Sequence, residues 1–247
     1  MRYLILSDLH ANWEALQAVL ESAAGLYDRI VCLGDLVGYA ADPNAVTSWV
    51  RANAGVVVRG NHDRACAGLE DLEWFNPVAR AAAEWTHNEL SPENLAYIAA
   101  LPKGPLAVEN FQIMHGSLLD EDAYLITPAD AGQAFPYLES PVAFFGHTHV
   151  QGGFEWVRDR IWTIGGPDPQ AQKEMLLEFD PDAAYLVNPG SVGQPRDTDP
   201  RAAYILYTPD DRFVTYHRVA YDIDAAQAKI RRAGLPDLLA ERLAVGR

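Results

Sequence analysis

Three short aliphatic runs, YLIL, RIVCL and GVVV, constrain this chain more than any other feature. Each ends in a polar motif: SDLH after the first, GDLVG after the second, GNHD after the third. The stretches between them, NWEALQAVLESAA and PNAVTSWVRANA, carry apolar residues at helical spacing. A strand followed by a crossover helix and another strand gives parallel pairing, so the carboxyl ends of the three strands are expected along one edge of a sheet. Open α/β sheets bind their ligands at such an edge.

From about Leu69 to Pro102 the strand rhythm stops. NPVARAAAEWTHNEL and SPENLAYIAALP predict a helical, cap-like segment, with Ser91 and Pro92 as cap and first-turn pair. Strands return in FQIMHG, VAFFGH, a hairpin over GGFEWVRDRIWTIGG, the pair EMLLEF and AYLVNPGS joined through DPDA, and a second hairpin over AAYILYTPDDRFVTYHRV. The second half is therefore expected to be antiparallel or mixed, and two facing sheets with helices outside accommodate both halves. DAAQAKIRRAGLPDLLAERL closes the chain as one or two helices broken near Gly234 and Pro236, with an amphipathic pattern suited to packing or a homodimer contact. No repeat or linker divides the 247 residues, which are expected to form one domain.

Five of the seven histidines follow a predicted strand: His10, His62, His115, His147 and His149. Asp8, Asp35 and Asn61 stand at the same ends, and Asp, His and Asn converging on one edge is the donor mixture of a metal site. In DLH and HTH the paired residues are two apart, so on an extended chain they share a face. Seven donors (Asp8, His10, Asp35, Asn61, His115, His147, His149) exceed what one ion takes, whereas two ions sharing a carboxylate can use them all. Two divalent cations against Asp8 and Asp35 leave a surplus of positive charge, which suits a phosphoryl group. Mixed nitrogen and oxygen donors favour Mn, Fe, Co, Ni or Zn over Ca or Mg, with Mn as the first expectation.

SDLH, GDLVG, GNHD, HGS and GHTH, in this order, resemble the signature of the calcineurin-like metallophosphoesterases. NPGSVGQPRD is similar to the small phosphodiesterase branch found in bacteria and archaea. The motifs run from Ser7 to Asp197. The resemblance implies a four-layer αββα sandwich of two mixed sheets flanked by helices. It implies that Asp8, His10, Asp35 and His149 bind one metal and that Asp35, Asn61, His115 and His147 bind the other, with Asp35 bridging. It places His62, with Asn61 beside it, in the catalytic role: His62 as acid for the leaving oxygen or as charge stabiliser. The expected activity is hydrolysis of a phosphodiester or phosphomonoester by a metal-bound hydroxide. The alternative is a non-catalytic scaffold of the same fold, which usually lacks ligands or the His. A β-lactamase-type zinc hydrolase would begin with a dense HxHxD cluster, which is absent.

Arg196, Arg64 and Asn12 are candidate substrate contacts. Each has a structural alternative: an ion pair of Arg196 to Asp197 or Asp199, a similar pairing of Arg64, and a helix cap by Asn12. Trp74, Phe75 and Trp85 could line the crevice for a nucleobase, but ordinary helix packing accounts for them better. His87 and His217 are expected to pack. A net charge of −15 argues against extended nucleic-acid binding and leaves a small phosphorylated substrate as the expected partner. MRYLILSDLH reaches an Asp too early for a signal peptide, no run is long enough to span a bilayer, and Cys32 and Cys66 lack CxxC spacing. A cytoplasmic protein without a membrane partner is expected.

Overall fold

The computed structural model describes residues 1–168 and 174–247, and of Trp74 the backbone alone, so the reading of that side chain lies outside the described residues. The chain begins β1 (Tyr3–Leu6), α1 (Trp13–Ser22), β2 (Arg29–Cys32), α2 (Pro43–Asn53), β3 (Val56–Val57) and α3 (Asn61–Cys66). α4 (Pro77–Glu89) and α5 (Pro92–Ala99) follow, then β4 (Leu106–Val108), β5 (Phe111–Ile113), α6 (Pro128–Ala134) and β6 (Val142–Phe144). The remaining elements are β7 (Gly152–Val157), β8 (Arg160–Gly165), β9 (Glu174–Glu178), β10 (Ala184–Asn188), β11 (Ala202–Thr208), β12 (Phe213–Val219), α7 (Ile223–Arg232) and α8 (Asp237–Glu241).

Two mixed six-stranded sheets result, ordered β3-β2-β1-β11-β12-β9 and β4-β5-β6-β10-β7-β8. β1, β2 and β3 pair in parallel, as their crossover helices require. All four residues of β1 are buried because both faces of the first sheet are covered. Tyr3 and Ile5 face the second sheet, where Phe111, Phe144, Tyr185 and Val187 meet them in a shared core. Leu4 and Leu6 point the other way, onto Leu16 and Val19 of α1 and Val46 and Val50 of α2. The outer face of the second sheet, through Ala143, Phe145 and Leu186, packs on Ala131 and Ala134 of α6. Helix, sheet, sheet and helix therefore stack as four layers.

Three local differences from the sequence reading matter for the site. β9 and β10 are consecutive but do not share a sheet: β9 pairs with β12 at the edge of the first, while β10 lies between β6 and β7 in the second. The GNHD motif is not a strand end, since β3 stops at Val57 and Asn61 opens α3. The helical stretch before Pro102 packs its Ala83, Leu90 and Ile98 into the core beneath α1 and α2, and presents Phe75, Asn76 and Ala79 to a cleft beside the strand ends. Among the described residues, no helix is long and apolar enough to cross a membrane.

Candidate metal centre

The candidate donor side chains, apart from Asn61 at the start of α3, lie on turns just beyond the strands, and those turns are tied to one another. Asp8 N–H donates to Gly34 O (3.0 Å), His10 N–H to Asp35 O (2.9 Å), Gly193 N–H to Asp8 O (2.9 Å) and Gly146 N–H to His115 O (2.8 Å). The shared face expected from i, i+2 spacing does not arise from extended chain. Asp8, His10, Asp35, His147 and His149 all have left-handed backbone, with φ between 47° and 65°. Each such non-glycine residue costs about 1–2 kcal/mol. That cost is borne where several turns must aim side chains at one point, the usual place for stored backbone strain. Gly60 is required for close approach, because a Cβ there would run into the Asp35 carboxylate.

The result is two clusters that share Asp35. One joins Asp8, His10, Asp35 and His149; the other joins Asp35, His115 and His147, with the ligand atoms of each group within 4.8 Å of one another. The Asn61 amide oxygen is 3.2 Å from His115 Nε2, which places it beside the second cluster. Asp35 Oδ2 is 3.6 Å from His10 Nε2 and 3.5 Å from His115 Nε2. It is buried and has no hydrogen-bond partner, while Oδ1 accepts from the His62 N–H at 2.9 Å. A buried carboxylate oxygen left unpaired between two groups of imidazoles is a costly arrangement without a cation.

The imidazoles point to the same requirement. The second nitrogen of each is bound to a backbone carbonyl: His10 Nδ1 to Val37 O (3.1 Å), His115 Nδ1 to Leu33 O (2.8 Å), His149 Nδ1 to Gln194 O (2.6 Å) and His147 Nε2 to Asp122 O (3.1 Å). These carbonyls can only accept, so each fixes the tautomer of its neutral ring and leaves a lone pair on the nitrogen facing the cluster; at His115 burial lowers the pKa but the Asp35 charge outweighs it and raises it to about 10, so without an ion a proton takes the cation's place there. His10 Nε2 then lies 3.0 Å from His149 Nε2, and His115 Nε2 lies 3.1 Å from His147 Nδ1. Facing lone pairs repel unless a proton or a cation sits between them. Burial holds His10 and His149 well below the usual histidine range and takes His147 down to about 3, so these rings are neutral, the form that ligates metal. Burial pushes Asp8 up to about 7, the response of a carboxylate enclosed without its counter-charge. The residues present therefore fit a pair of divalent cations.

His62 sits next to this centre. Its ring contacts His10 at 5.0 Å, Tyr39 at 4.3 Å and Phe75 at 5.5 Å between centroids, and its buried Nδ1 has no hydrogen-bond partner. Burial lowers it to about 4. Gly38, with φ of +88°, makes room for it, because a Cβ there would lie 2.7 Å from Nδ1. His62, Asn61, Phe75, Tyr39 and Tyr124 line a cleft of about 410 Å³ that opens the centre to solvent.

The three candidate substrate contacts occupy different settings. Asn12 caps α1 through Ala15 N–H (3.1 Å) and donates to Gly193 O (2.9 Å), which accounts for its polar atoms structurally. Arg64 lines the cleft, but its guanidinium is held by Glu70, Glu121 and Asp122, each at 2.7 Å. It thereby fastens the turn whose Asp122 carbonyl orients His147. Arg196 makes neither ion pair expected for it: Asp197 pairs with Arg218 and Asp199 with Arg201. It contacts Gln194 Oε1 (3.0 Å) and Tyr39 Oη (3.4 Å) and has no carboxylate partner among the described residues. Trp85 packs against the helical core, His87 binds Cys66 O and His217 stacks on Tyr204. Tyr39, Tyr124 and Arg242 were not singled out from sequence. Tyr124 stacks on His147 at 3.9 Å while remaining 48% exposed, and Arg242 lies 5.9 Å from the Tyr39 ring centroid.

A four-layer sandwich with paired Asp/His clusters at its strand ends defines a phosphoesterase of the calcineurin-like type. The chain belongs to that family: the calcineurin-like phosphoesterase superfamily domain matches residues 1–212. It is 34% identical to the uncharacterized protein MJ0912 of Methanocaldococcus jannaschii over 98% of this chain and 97% of that one. The crystal structure of a metallophosphoesterase from Sphaerobacter thermophilus superposes with a TM-score of 0.88 at 41% identity, covering 100% of this chain and 99% of that one. Hypothetical protein PH1004 from Pyrococcus horikoshii shares the fold at a TM-score of 0.79 and 18% identity, over 100% and 98% of the two chains.

Proposed function

We propose that this protein is a dinuclear metal-dependent hydrolase of small phosphoesters, acting on a phosphodiester or phosphomonoester. The observation that carries the reading is Asp35 Oδ2, buried, unpaired and common to both donor clusters. Asp8, His10, Asp35 and His149 would hold one ion; Asp35, Asn61, His115 and His147 would hold the other. When bound, two divalent cations supply Lewis-acid polarisation of phosphoryl oxygens and make a water nucleophilic at neutral pH. Manganese is the first candidate, with Fe, Co, Ni and Zn as alternatives suited to the same donors.

The chain's own residues supply position and a hydrogen-bond donor. The four backbone carbonyls that fix the imidazole tautomers also fix the ring orientations, so the donors need little rearrangement on binding. His62 borders the cleft with a ring that hydrogen-bonds to no described side chain, and it serves the leaving oxygen by donating an N–H. Arg196, without a carboxylate partner, contacts the substrate phosphate. Arg64 acts through structure, by holding the Asp122 turn against His147. The acidic surface suits a small substrate in the cytoplasm over an extended nucleic acid.

The test is turnover of bis(4-nitrophenyl) phosphate by EDTA-treated protein before and after addition of Mn²⁺. Activity that appears with metal and vanishes with chelator supports the reading. Absence of turnover with every one of Mn, Fe, Co, Ni and Zn overturns it in favour of a binding scaffold.

A further inference from the structure

Successive residues of β12 alternate between its two faces, and Val214 and Tyr216 set the inward face in the apolar core shared by the two sheets. Arg218 continues that inward face and is the one buried arginine or lysine among the described residues. Its guanidinium bridges separate segments of chain. Nε donates to Gln151 Oε1 (2.8 Å), Nη1 to Arg201 O (3.3 Å) and Nη2 to Asp197 Oδ2, an oxygen that also accepts the Gln151 N–H (3.2 Å). Gln151 Nε2 donates in turn to Pro189 O (3.0 Å), Tyr204 O (3.3 Å) and His217 O (3.3 Å). A buried ion pair adds little stability over apolar side chains of similar volume, so stability alone does not account for a cation here.

The segments that Arg218 joins are the two that hold His149. Gln151 follows His149 by two residues, and Asp197 follows by three the Gln194 whose carbonyl accepts from His149 Nδ1 at 2.6 Å. Between them the Arg196 N–H donates to His149 O (3.2 Å). Upstream of Gln194 the chain is anchored separately, by Val192 N–H on Ser7 O (3.0 Å) and Gly193 N–H on Asp8 O (2.9 Å). Downstream, the Asp197 carboxylate is fastened by Arg218 and Gln151. The other imidazoles are oriented elsewhere: His10 by Val37, whose N–H binds Asp63, and His147 by Asp122, whose carboxylate binds Arg64. A change at Arg218 therefore reaches one donor ring and spares the rest.

We propose that Arg218 is a positioning residue for the first cluster. Bound to Gln151 and Asp197, it fixes the approach of Gln194 O to His149 Nδ1, and with it the aim of the nitrogen that this ring turns toward Asp8, His10 and Asp35. The inference rests on the dinuclear reading and extends it: the two sites are tuned by separate networks, and Arg218 governs the His149 site without governing the His115–His147 site.

Two measurements decide it. In the first, nitrogen–proton NMR of EDTA-treated protein follows the His149 Nδ1–H, assigned by its absence from His149→Gln. That proton should exchange with water at least about tenfold faster in Arg218→Met, and less so in Arg218→Lys, while the Nδ1–H of His10 keeps its wild-type rate. Should Arg218→Met fail to fold, its combination with Asp197→Asn leaves no charge buried without a partner and carries the same expectation. An unaltered His149 signal, or equal acceleration at His10, overturns the proposal. In the second, Mn²⁺ is titrated calorimetrically into variants that keep one cluster intact. Arg218→Met should weaken binding by about 10–100-fold in a His115→Gln background and by less than about threefold in a His149→Gln background. Equal losses in the two backgrounds, as general destabilisation would give, or no loss in either, overturn the proposal. If the wild type binds no Mn²⁺, the metal reading fails, and the exchange rates still decide the positioning role.

Discussion

Asp35→Asn is the perturbation for which the geometry gives the clearest magnitude. The carboxylate belongs to both clusters, so one isosteric change acts on two sites at once. After substitution the first cluster retains Asp8 with two imidazoles, and the second retains no carboxylate. Removing a unit charge about 4 Å from a divalent cation is worth about 8 kcal/mol at an effective dielectric of 20, a loss of far more than about a hundredfold in each affinity. For the wild type, metal at a hundred times its Kd stabilises by about 2.7 kcal/mol per site. Two sites give about 5 kcal/mol, and in a chain of this size each kcal/mol shifts the melting temperature by about 2–4 °C. Differential scanning calorimetry of EDTA-treated protein, with and without Mn²⁺, should therefore show a rise of about 10–20 °C for the wild type and under about 3 °C for Asp35→Asn. Retention of more than half the shift by the variant would refute the shared-carboxylate reasoning.

Other substitutions separate chemistry from scaffold. His62→Ala should keep its metal, counted by plasma mass spectrometry, while kcat falls by about 10²–10⁴-fold; near-normal turnover would remove His62 from the mechanism. Gly38→Ala places a methyl 2.7 Å from His62 Nδ1 at a φ of +88°. It should cost about 1–2 kcal/mol in stability and lower kcat without changing metal content, and an unperturbed kcat would show that the ring tolerates displacement. Asn12→Ala removes a cap and a bond to Gly193, so a loss of about 1–2 kcal/mol is expected with KM unchanged. A raised KM with an unchanged melting temperature would make Asn12 a substrate contact instead.

The layered fold was legible because its first three strands are short and strongly apolar and are separated by helices with clear periodicity. The clustering of these Asp and His side chains was legible for a related reason: polar, histidine-bearing motifs at the ends of buried strands have few structural uses. What spacing could not reveal was how the donors reach one point. Asp8 and His10, like His147 and His149, converge through left-handed turns and not along an extended face, and a backbone conformation of that kind leaves no trace in a non-glycine sequence. The partition of β9 and β10 between sheets depends on pairing across distant segments, which local pattern does not encode. Arg64 was legible as a charge near the motif but not as one surrounded by Glu70, Glu121 and Asp122, because those carboxylates arrive from other segments. Arg242 was invisible for the opposite reason: an amphipathic tail gives no sign that one of its cations will stand over Tyr39.

The central claim is that two cations share the Asp35 carboxylate. Anomalous diffraction from crystals grown with Mn²⁺, recorded above and below the manganese edge, tests it directly. The account predicts two peaks, each next to one of the imidazole pairs and both in contact with Asp35. A single peak at saturating metal, or peaks that leave Asp35 without a bound ion, would contradict it.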